Sequence, residues 1–291
     1  ATRTMDVADY NFDLFDVANA MAAAKKRGVM VRFVTDTDTI KDKSANVQQA
    51  LGILKSAKIP IVQDERNPIM HDKFTVIDGR WVETGSWNYT DGSTYHDNNN
   101  MIVIDSPELA ANYTTVFNEM FEAHEFSSVG KIPNPDLTIG GDSVQNCFSP
   151  HGGCTDLAVK AIDTAQKSID FMAFSFTSNP IGNAMLDRAK AGVDVQGVFE
   201  TTGSNTVYSE YKKMQRAGLK VYTDGNPWNL HHKVIIIDER TVIFGSFNFS
   251  ASAENDNNEN MLVIDDPNLA KAFLTEYTRV LYVAQHPAYK K

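Results

Sequence analysis

A polar motif occurs twice in this chain. Each copy has a histidine, a lysine two residues later and an aspartate five residues after the lysine, and the copies lie 160 residues apart (231 − 71). The members are His71, Lys73, Asp78, His231, Lys233 and Asp238. One copy would be weak evidence, because an exposed strand can carry a histidine and a lysine by chance. Two copies at one spacing predict an internal repeat with a polar function.

A short turn follows each motif at the same offset. It has the pattern Gly-Ser-x-Asn and supplies Ser86 and Asn88 in the first copy and Ser246 and Asn248 in the second. Residues two apart on a β-strand point to the same side, so the histidine and lysine of each motif are expected to face one cleft. The sequence Asp78-Gly79 predicts a hairpin that brings this turn back beside the histidine.

The chain alternates strand-like and helix-like segments in both halves. Residues 14–27 carry apolar side chains at helical spacing, and residues 29–34 have the composition of a buried strand. Residues 127–136 contain one glycine and two prolines and are expected to form a linker. The pattern predicts an α/β protein with a first half at 1–127 and a second at 128–291.

The repeat is incomplete at the amino end of this sequence. Before the motifs the offset is 164 (192 − 28), so Ala1 corresponds to Ala165. Residues 137–164, which include a predicted helix, have no counterpart in the first half. We therefore expect the first half to be N-terminally incomplete and the natural protein to be longer.

Composition limits the remaining classes of protein. The formal charge is −10, which argues against a surface coated by nucleic acid or anionic lipid but is compatible with a local basic cleft. The sequence contains no run of about 18 apolar residues, so no transmembrane helix is expected. Cys147 and Cys154 are either two free thiols or a local disulfide, because a zinc site would need suitably spaced histidines. A disulfide would favour a secreted or periplasmic protein.

Two such sets of residues, brought together, are suited to the cleavage of a phosphodiester. Lysine attracts the non-bridging oxygens of phosphate, and serine and asparagine add neutral donors. One histidine can attack phosphorus and form a covalent intermediate, while the other, protonated, donates to the leaving oxygen and then activates water. Because the lysines stabilise the developing negative charge, this chemistry requires no metal ion.

These motifs resemble those that define the phospholipase D superfamily, over almost the whole chain. The resemblance implies two pseudo-two-fold-related α-β-α-β-α halves, an active site at their interface, a phosphohistidine intermediate and no cofactor. It implies a nucleophile and an acid/base in His71 and His231, with His71 the expected nucleophile. The other motif residues implied are Lys73, Lys233, Asn88 and Asn248 at the phosphate with Ser86 and Ser246 assisting, and Asp78 and Asp238 as motif members that hold the scaffold.

The two copies differ in the segment after the asparagine turn. The second copy has Glu259 where the first has Asn99. A carboxylate that accepts from an imidazole N–H raises the basicity of the ring and fixes its tautomer. We hypothesise that Glu259 belongs to the catalytic set and orients one histidine, so that the two histidines are unequal. The alternative is that Glu259 is a residue of a surface loop.

The first substrate class we expect is nucleic acid, because the second half resembles the compact bacterial endonuclease branch in its segments 147–154 and 173–178. The alternative is a phospholipase D that acts on phospholipid head groups, since the net charge of −10 opposes nucleic-acid binding. A nuclease should show a basic groove and a lipase an apolar rim. A non-catalytic binding protein is a minor alternative, because both motifs are intact. One chain carries both motifs, so a monomer can be catalytically complete.

Overall fold

The computed structural model describes residues 1–287. Two β-sheets dominate it, one in each half of the chain. The elements of the first half are β1 (Thr4–Asp9), α1 (Phe15–Lys26), β2 (Met30–Asp36), α2 (Thr37–Lys41), α3 (Ala45–Ser56), β3 (Ile61–Asp64), β4 (Lys73–Ile77), β5 (Trp81–Gly85), α4 (Asp91–Tyr95), β6 (Met101–Asp105) and α5 (Pro107–Glu122). 

The second half repeats this series after an additional hairpin and helix. Its elements are β7 (Asp136–Ile139), β8 (Asp142–Ser149), α6 (Cys154–Ile162), β9 (Ser168–Ala173), α7 (Asn179–Lys190), β10 (Asp194–Phe199), α8 (Thr201–Ser204), α9 (Tyr211–Arg216), β11 (Lys220–Thr223), β12 (Lys233–Ile237), β13 (Thr241–Gly245), α10 (Ala251–Asn255), β14 (Glu259–Asp265) and α11 (Pro267–Gln285). The predicted boundary between residues 127 and 128 lies between α5 and β7 and stays a prediction.

Both sheets have the same strand order. The first is β3-β2-β1-β4-β5-β6, and the second is β11-β10-β9-β12-β13-β14 with β8 and β7 added beyond β14. The first three strands of each series are parallel and joined by helices, because a parallel connection needs a crossover. The motif strands β4 and β12 lie antiparallel to β1 and β9 at the centre of each sheet.

The hydrophobic core forms in three clusters that separate the layers. The central cluster combines α5 and α11 with the inner faces of both sheets. The outer face of the first sheet packs against α1 and α3, and the outer face of the second packs against α6, α7 and α9. This arrangement confirms the predicted α-β-α-β-α architecture with two related halves. Helices α5 and α11 each begin with a proline in the first turn after a side-chain N-cap, Ser106 or Asp266.

Strands β1 and β9, which pair with the motif strands, end earlier than their hydrophobic patterns predict. Those patterns extend β1 to Phe12 and β9 to Phe176, but the strands end at Asp9 and Ala173. The chain leaves the sheet at these points, and the backbone N–H of Phe174 donates to the carbonyl oxygen of His232. The next residue after each strand is therefore placed beside a motif histidine.

Two open points from composition can be compared with the structure. Cys147 and Cys154 form a disulfide, which joins the end of β8 to the start of α6. Within residues 1–287, no helix has both the length and the apolar character needed to cross a bilayer.

Candidate active site

The two motifs meet where the first half contacts the second. The backbone N–H of His71 donates to the carbonyl oxygen of Asn258 at 2.9 Å, and the backbone N–H of His231 donates to that of Asn98 at 2.9 Å. Each histidine is thus held by the segment that follows the asparagine turn of the other half. The exchange is reciprocal, as a pseudo-two-fold axis requires.

The imidazole of His71 is fixed by a carboxylate from the second half. Its Nδ1 lies 2.7 Å from Oε2 of Glu259, and the backbone carbonyl of Ser246 also accepts a hydrogen bond from the ring. The ionised carboxylate of Glu259 can only accept, so beside it Nδ1 carries the proton and Nε2 has the free lone pair. Glu259 is completely buried, which excludes the alternative that it is a residue of a surface loop.

The imidazole of His231 has a neutral partner from the first half. Its Nδ1 lies 2.7 Å from Oδ1 of Asn99 and 3.0 Å from the backbone oxygen of Ser86. Nδ2 of Asn99 donates to the backbone oxygen of Ser93 at 2.9 Å, which directs its oxygen towards the ring. Because Asn99 stands where the second copy has Glu259, His71 has a carboxylate as its partner and His231 has an amide.

The electrostatic environment keeps both imidazoles neutral. Burial lowers the pKa of His71 and of His231 well below 6.5, and Lys73 and Lys233 lower both further. Each lysine acts on the histidine of the other half as well as on its own, so the four side chains form one group. His71 and His231 are 6% and 7% exposed, so little of either residue contacts water.

The two lysines are buried among polar groups and aromatic rings. Nζ of Lys73 donates to the backbone oxygen of His71 at 2.6 Å, and Nζ of Lys233 donates to that of His231 at 2.7 Å. Burial lowers the pKa of Lys73 to about 8, while Glu259 opposes this shift. Burial, together with the charge of Lys73, lowers the pKa of Lys233 well below 10.5.

Burial also raises the pKa of Glu259 to about 8, although Lys73 and Lys233 lower it. The carboxyl group of Glu259 therefore loses its proton only near pH 8, and a positive charge on His71 would favour its ionised form.

The completely buried Asp9 lies opposite Lys73 in the β1–β4 register, where the second half has Ala173 opposite Lys233. The pKa of Asp9 is raised by burial and lowered by Lys73.

The serine hydroxyls of the turns form hydrogen bonds within the protein. Ser86 and Ser246 are completely buried, and their hydroxyls accept from the backbone N–H groups of Asn100 and Asn260 at 3.1 and 3.0 Å. The preceding glycine makes this contact possible. A Cβ at Gly85 would lie 2.3 Å from the carbonyl oxygen of Asn100. These serines position the turn, and their backbone oxygens contact the histidines; their assistance in phosphate binding stays a prediction.

The asparagines of the turns retain unsatisfied groups. Oδ1 of Asn88 and Oδ1 of Asn248 are buried without a hydrogen-bond partner among the described residues. Rotation of either amide by 180° would present its NH₂ group instead of the oxygen. The geometry is therefore compatible with the predicted binding of phosphate by these two side chains.

The motif aspartates lie away from the histidines, at the far end of β4 and β12. Asp78 accepts from the backbone N–H groups of Thr2, Arg3 and Thr4, at 2.6 to 3.1 Å. Asp238 accepts in the same way from three successive residues before β9. This geometry is compatible with the scaffold role expected for both aspartates.

The residues between each histidine and lysine are buried behind the site. The ring of His232 bonds Asn100 through Nδ1 and Glu276 through Nε2. Its counterpart Asp72 accepts from Nδ2 of Asn260 at 2.8 Å. These contacts tie each motif strand to the other half, so they support the shape of the site from behind.

Sequence reasoning missed two aromatic residues that border the site. The ring of Tyr10 lies 5.2 Å from that of His71, and the ring of Phe174 lies 4.7 Å from that of His231. Each ring also lies beside the lysine of its own half. Their shared offset of 164 (174 − 10) was the signal that could have identified them.

No group of three or more His, Cys, Asp or Glu side chains within residues 1–287 is arranged to hold a metal ion. The residues gathered at the site are imidazoles, ammonium groups and amides. Such a set provides nucleophiles, proton donors and anion-binding groups at one place.

Comparisons with known proteins agree with the two-fold organisation. A family model described as "Cardiolipin synthase, PLD-like domain" matches residues 1–121 and 158–281, and each matched segment contains one motif. Phospholipase D of Rickettsia bellii is 39% identical over 139 residues, which cover 48% of this chain and 69% of that protein.

Two solved structures are also similar. A phospholipase D family member, Nuc from Salmonella typhimurium, is 39% identical and covers 48% of this chain and 95% of its own, with a TM-score of 0.46. The phosphatidylserine synthase of Haemophilus influenzae is 11% identical and covers 97% of this chain and 81% of its own, with a TM-score of 0.71. The second likeness extends over both halves and shows that they share one known fold.

Proposed function

This chain belongs to the phospholipase D superfamily of phosphodiesterases, and we propose that it hydrolyses phosphodiesters through a covalent phosphohistidine on His71. The observation that carries the proposal is the unequal pairing of the two histidines, His71 with Glu259 and His231 with Asn99. A carboxylate stabilises a ring that becomes positively charged, whereas an amide stabilises it less. The two partners therefore divide the roles of nucleophile and acid.

In the first step, the lone pair on Nε2 of His71 attacks phosphorus. The P–N bond forms, the bond from phosphorus to the leaving oxygen breaks, and the leaving oxygen takes a proton from His231. The phosphorylated ring of His71 keeps its proton on Nδ1 and is positively charged, so Glu259 at 2.7 Å stabilises this intermediate.

In the second step, His231 removes a proton from water, which attacks phosphorus and breaks the P–N bond. The initial prediction required a protonated His231, but its pKa in the structure is well below 6.5 because of burial and the lysines. A bound anionic diester raises this pKa, since an opposite charge favours the charged form. We therefore propose that His231 acquires its proton when substrate binds.

The phosphate would be held by the two lysines and the two turn asparagines. Lys73 and Lys233 provide positive charge on either side of the site, and Asn88 and Asn248 add amide donors. These four residues supply the stabilisation of negative charge that a metal ion provides in other phosphodiesterases. The proposal is accordingly a metal-independent reaction.

Nucleic acid is the first substrate class we propose, because of the resemblance of the second half to the endonuclease branch. The basic cluster at Lys25, Lys26 and Arg27 does not contribute to this site. The cluster lies at the C-terminal end of α1, close to the start of β2. This is the end of the sheet that is far from Lys73. Affinity for a nucleic acid would therefore depend on other basic side chains along the bound strand.

Phospholipid is the second candidate, favoured by the two aromatic rings at the site. Tyr10 and Phe174 are partly exposed and lie next to the histidine and lysine of each half. They are apolar surface beside the reacting centre, as expected for a substrate with a lipid part. The relative from Rickettsia bellii, which is named phospholipase D, supports the same candidate.

Intact-mass spectrometry of trapped protein tests the mechanism. Two p-nitrophenyl diesters, one of thymidine 5′-phosphate and one of phosphocholine, have a leaving group that needs little protonation. We expect His231→Ala to accumulate an adduct with either reactive diester and His71→Ala to form none. An adduct that persists in His71→Ala, or no adduct in His231→Ala, would contradict the assignment.

Parallel assays with supercoiled plasmid, single-stranded DNA and phosphatidylcholine vesicles, all with chelator, test substrate class and metal dependence. Cleavage of DNA without release of choline supports the first candidate, and the converse supports the second. Activity that appears only when a divalent metal is restored would overturn the metal-independent mechanism. His71→Ala is the matched inactive control in each assay.

A further inference from the structure

The surroundings of the two motif lysines differ between the halves. Asp9 ends β1 and pairs with Lys73 in the antiparallel register of β1 and β4. Residues paired in this way present their side chains on one face of the sheet, with Cβ atoms about 5 Å apart. In the second half, Ala173 pairs with Lys233 at the same position. A completely buried carboxyl group therefore lies beside Lys73, whereas a methyl group lies beside Lys233.

The carboxyl group of Asp9 also holds the backbone at two places in the site. It accepts from the backbone N–H of Asn11 at 3.1 Å, directly after Tyr10, whose ring borders the site. It accepts from the backbone N–H of Tyr89 at 3.3 Å, directly after Asn88, one of the residues proposed to bind phosphate. Asp9 thus connects the motif strand, the aromatic ring and the asparagine turn of the first half.

The second half closes the equivalent turn without a carboxyl group. The backbone N–H of Phe249, the counterpart of Tyr89, donates to the backbone oxygen of Ser175 at 3.1 Å. The fold can therefore form this turn through main-chain contacts alone. Because a buried carboxyl group is costly unless charges or donors compensate it, the presence of Asp9 indicates a role beyond the turn itself.

A buried polar cluster continues from Asp9, and the equivalent positions of the second half lack it. The hydroxyl of Tyr89 lies 2.6 Å from Oγ1 of Thr75 and donates to Oε2 of Glu83. The counterparts of these three residues are buried and apolar: Ile235, Ile243 and Phe249. The polar cluster therefore belongs to the half that contains His71, and Asp9 is the member that pairs with a motif lysine.

We propose that Asp9 is a positioning residue of the site: it keeps Lys73 charged and fixes the backbone beside Tyr10 and Asn88, so that the first half captures the anionic diester. This inference rests on the phosphodiester chemistry proposed above. It assigns unequal roles to the two lysines, as Glu259 and Asn99 do to the two histidines.

The electrostatics around Lys73 agree with this role. Burial lowers the pKa of Lys73, and three carboxyl groups oppose the effect: Glu259, Asp9 and Asp72. Glu259 also opposes the lowered pKa of Lys233, so it does not distinguish the two lysines. Tyr10, the two imidazoles and Lys233 also surround Lys73, and a substitution of Asp9 leaves all of them in place.

The charges of Asp9 and Lys73 support each other. Burial raises the pKa of Asp9, the charge of Lys73 and the N–H of Tyr89 lower it, and Glu83 raises it. An opposite charge nearby favours the charged form of each partner. Loss of the carboxylate should therefore lower the pKa of Lys73 further, and the ammonium charge should disappear at a lower pH.

The test measures the binding of dimethyl phosphate, an inert diester anion, by phosphorus NMR titration from weakly acidic to alkaline pH. Asp9→Asn keeps an oxygen for the two backbone N–H groups but removes the charge. We expect its affinity to match that of the original chain in weakly acidic solution, and its alkaline limit to lie about one pH unit lower. Because binding needs no turnover, a shift in a chain that hydrolyses no diester would support Asp9 and contradict the proposed reaction alone.

The matched control is Tyr89→Phe, which gives the cluster the residue of the second half and leaves the charge of Asp9 in place. It should reduce stability without moving the alkaline limit of binding. An unchanged limit in Asp9→Asn would overturn the proposal, and so would an equal shift in Tyr89→Phe, because disturbed packing would then be the cause. If Asp9→Asn does not fold, Asp9→Ala carries the residue of the second half and is held to the same outcomes.

Discussion

Nδ1 of His71 lies 2.7 Å from Oε2 of Glu259, although 188 residues separate the two in the sequence. The equivalent contact in the other direction joins His231 to Asn99. The two halves therefore exchange the groups that orient their histidines. Because one exchanged group is a carboxylate and the other an amide, a pseudo-symmetric fold contains an asymmetric site.

Replacement of Glu259 by glutamine should reduce kcat on the order of 10²-fold, because the charged ring of His71 loses its counter-charge while the hydrogen bond can remain. The pH profile of kcat should change in the same variant. A comparison of steady-state rates over pH tests this. Unchanged turnover and an unchanged profile would show that Glu259 has no influence on His71.

Replacement of Asn99 by aspartate should raise the pKa of His231, because a carboxylate near the ring favours its charged form. The alkaline limit of kcat should move upwards by about one pH unit or more. The double variant Glu259→Gln, Asn99→Asp exchanges the two partners. We expect peptide mapping of the trapped adduct to show phosphorylation on His231 in the double variant; an adduct that stays on His71 would contradict the division of roles.

The pKa of Lys73, lowered by burial to about 8, predicts a loss of substrate capture in alkaline solution. Lysine is charged below its pKa, so the positive charge at the phosphate site declines as the pH rises through this value. We expect kcat/KM to fall about tenfold for each pH unit above it, since this ratio reports the free enzyme. A constant kcat/KM up to pH 10 would refute the prediction.

Replacement of Asp78 by asparagine should reduce stability rather than chemistry. Partial burial raises the pKa of this carboxyl, but the backbone N–H groups of Thr4 and Arg3 lower it to a net value well below 3.8. Its contribution to stability is therefore present at neutral pH and declines as the pH falls below about 4. We expect Asp78→Asn to cost about 1–2 kcal/mol in urea unfolding at pH 7.

The control for Asp78 is activity measured well below the unfolding midpoint. At that point Asp78→Asn should retain nearly the kcat of the original chain, because the carboxylate lies at the far end of β4. The difference in stability between the two proteins should shrink in acid. A large loss of kcat with unchanged stability would contradict the scaffold role and indicate that Asp78 takes part in catalysis.

The repeat, the α/β class and the identity of the residues that converge could all be predicted from the order of residues in the chain. His71, Lys73, His231 and Lys233 could be identified because strand geometry places residues two apart on the same side, and because one spacing recurs in both halves. The turn asparagines followed from the same offset. Local rules were sufficient where the signal was a short spacing between polar residues.

The partner of each histidine became clear only from the packing of the two halves. Glu259 and Asn99 cross to the opposite half, and a contact between residues 188 positions apart has no periodic signature in the chain. The contacts of the Ser86 and Ser246 hydroxyls likewise depend on a close approach of two backbones at Gly85 and Gly245. Burial and contact across an interface depend on how the layers pack, and no segment of the sequence contains that information separately.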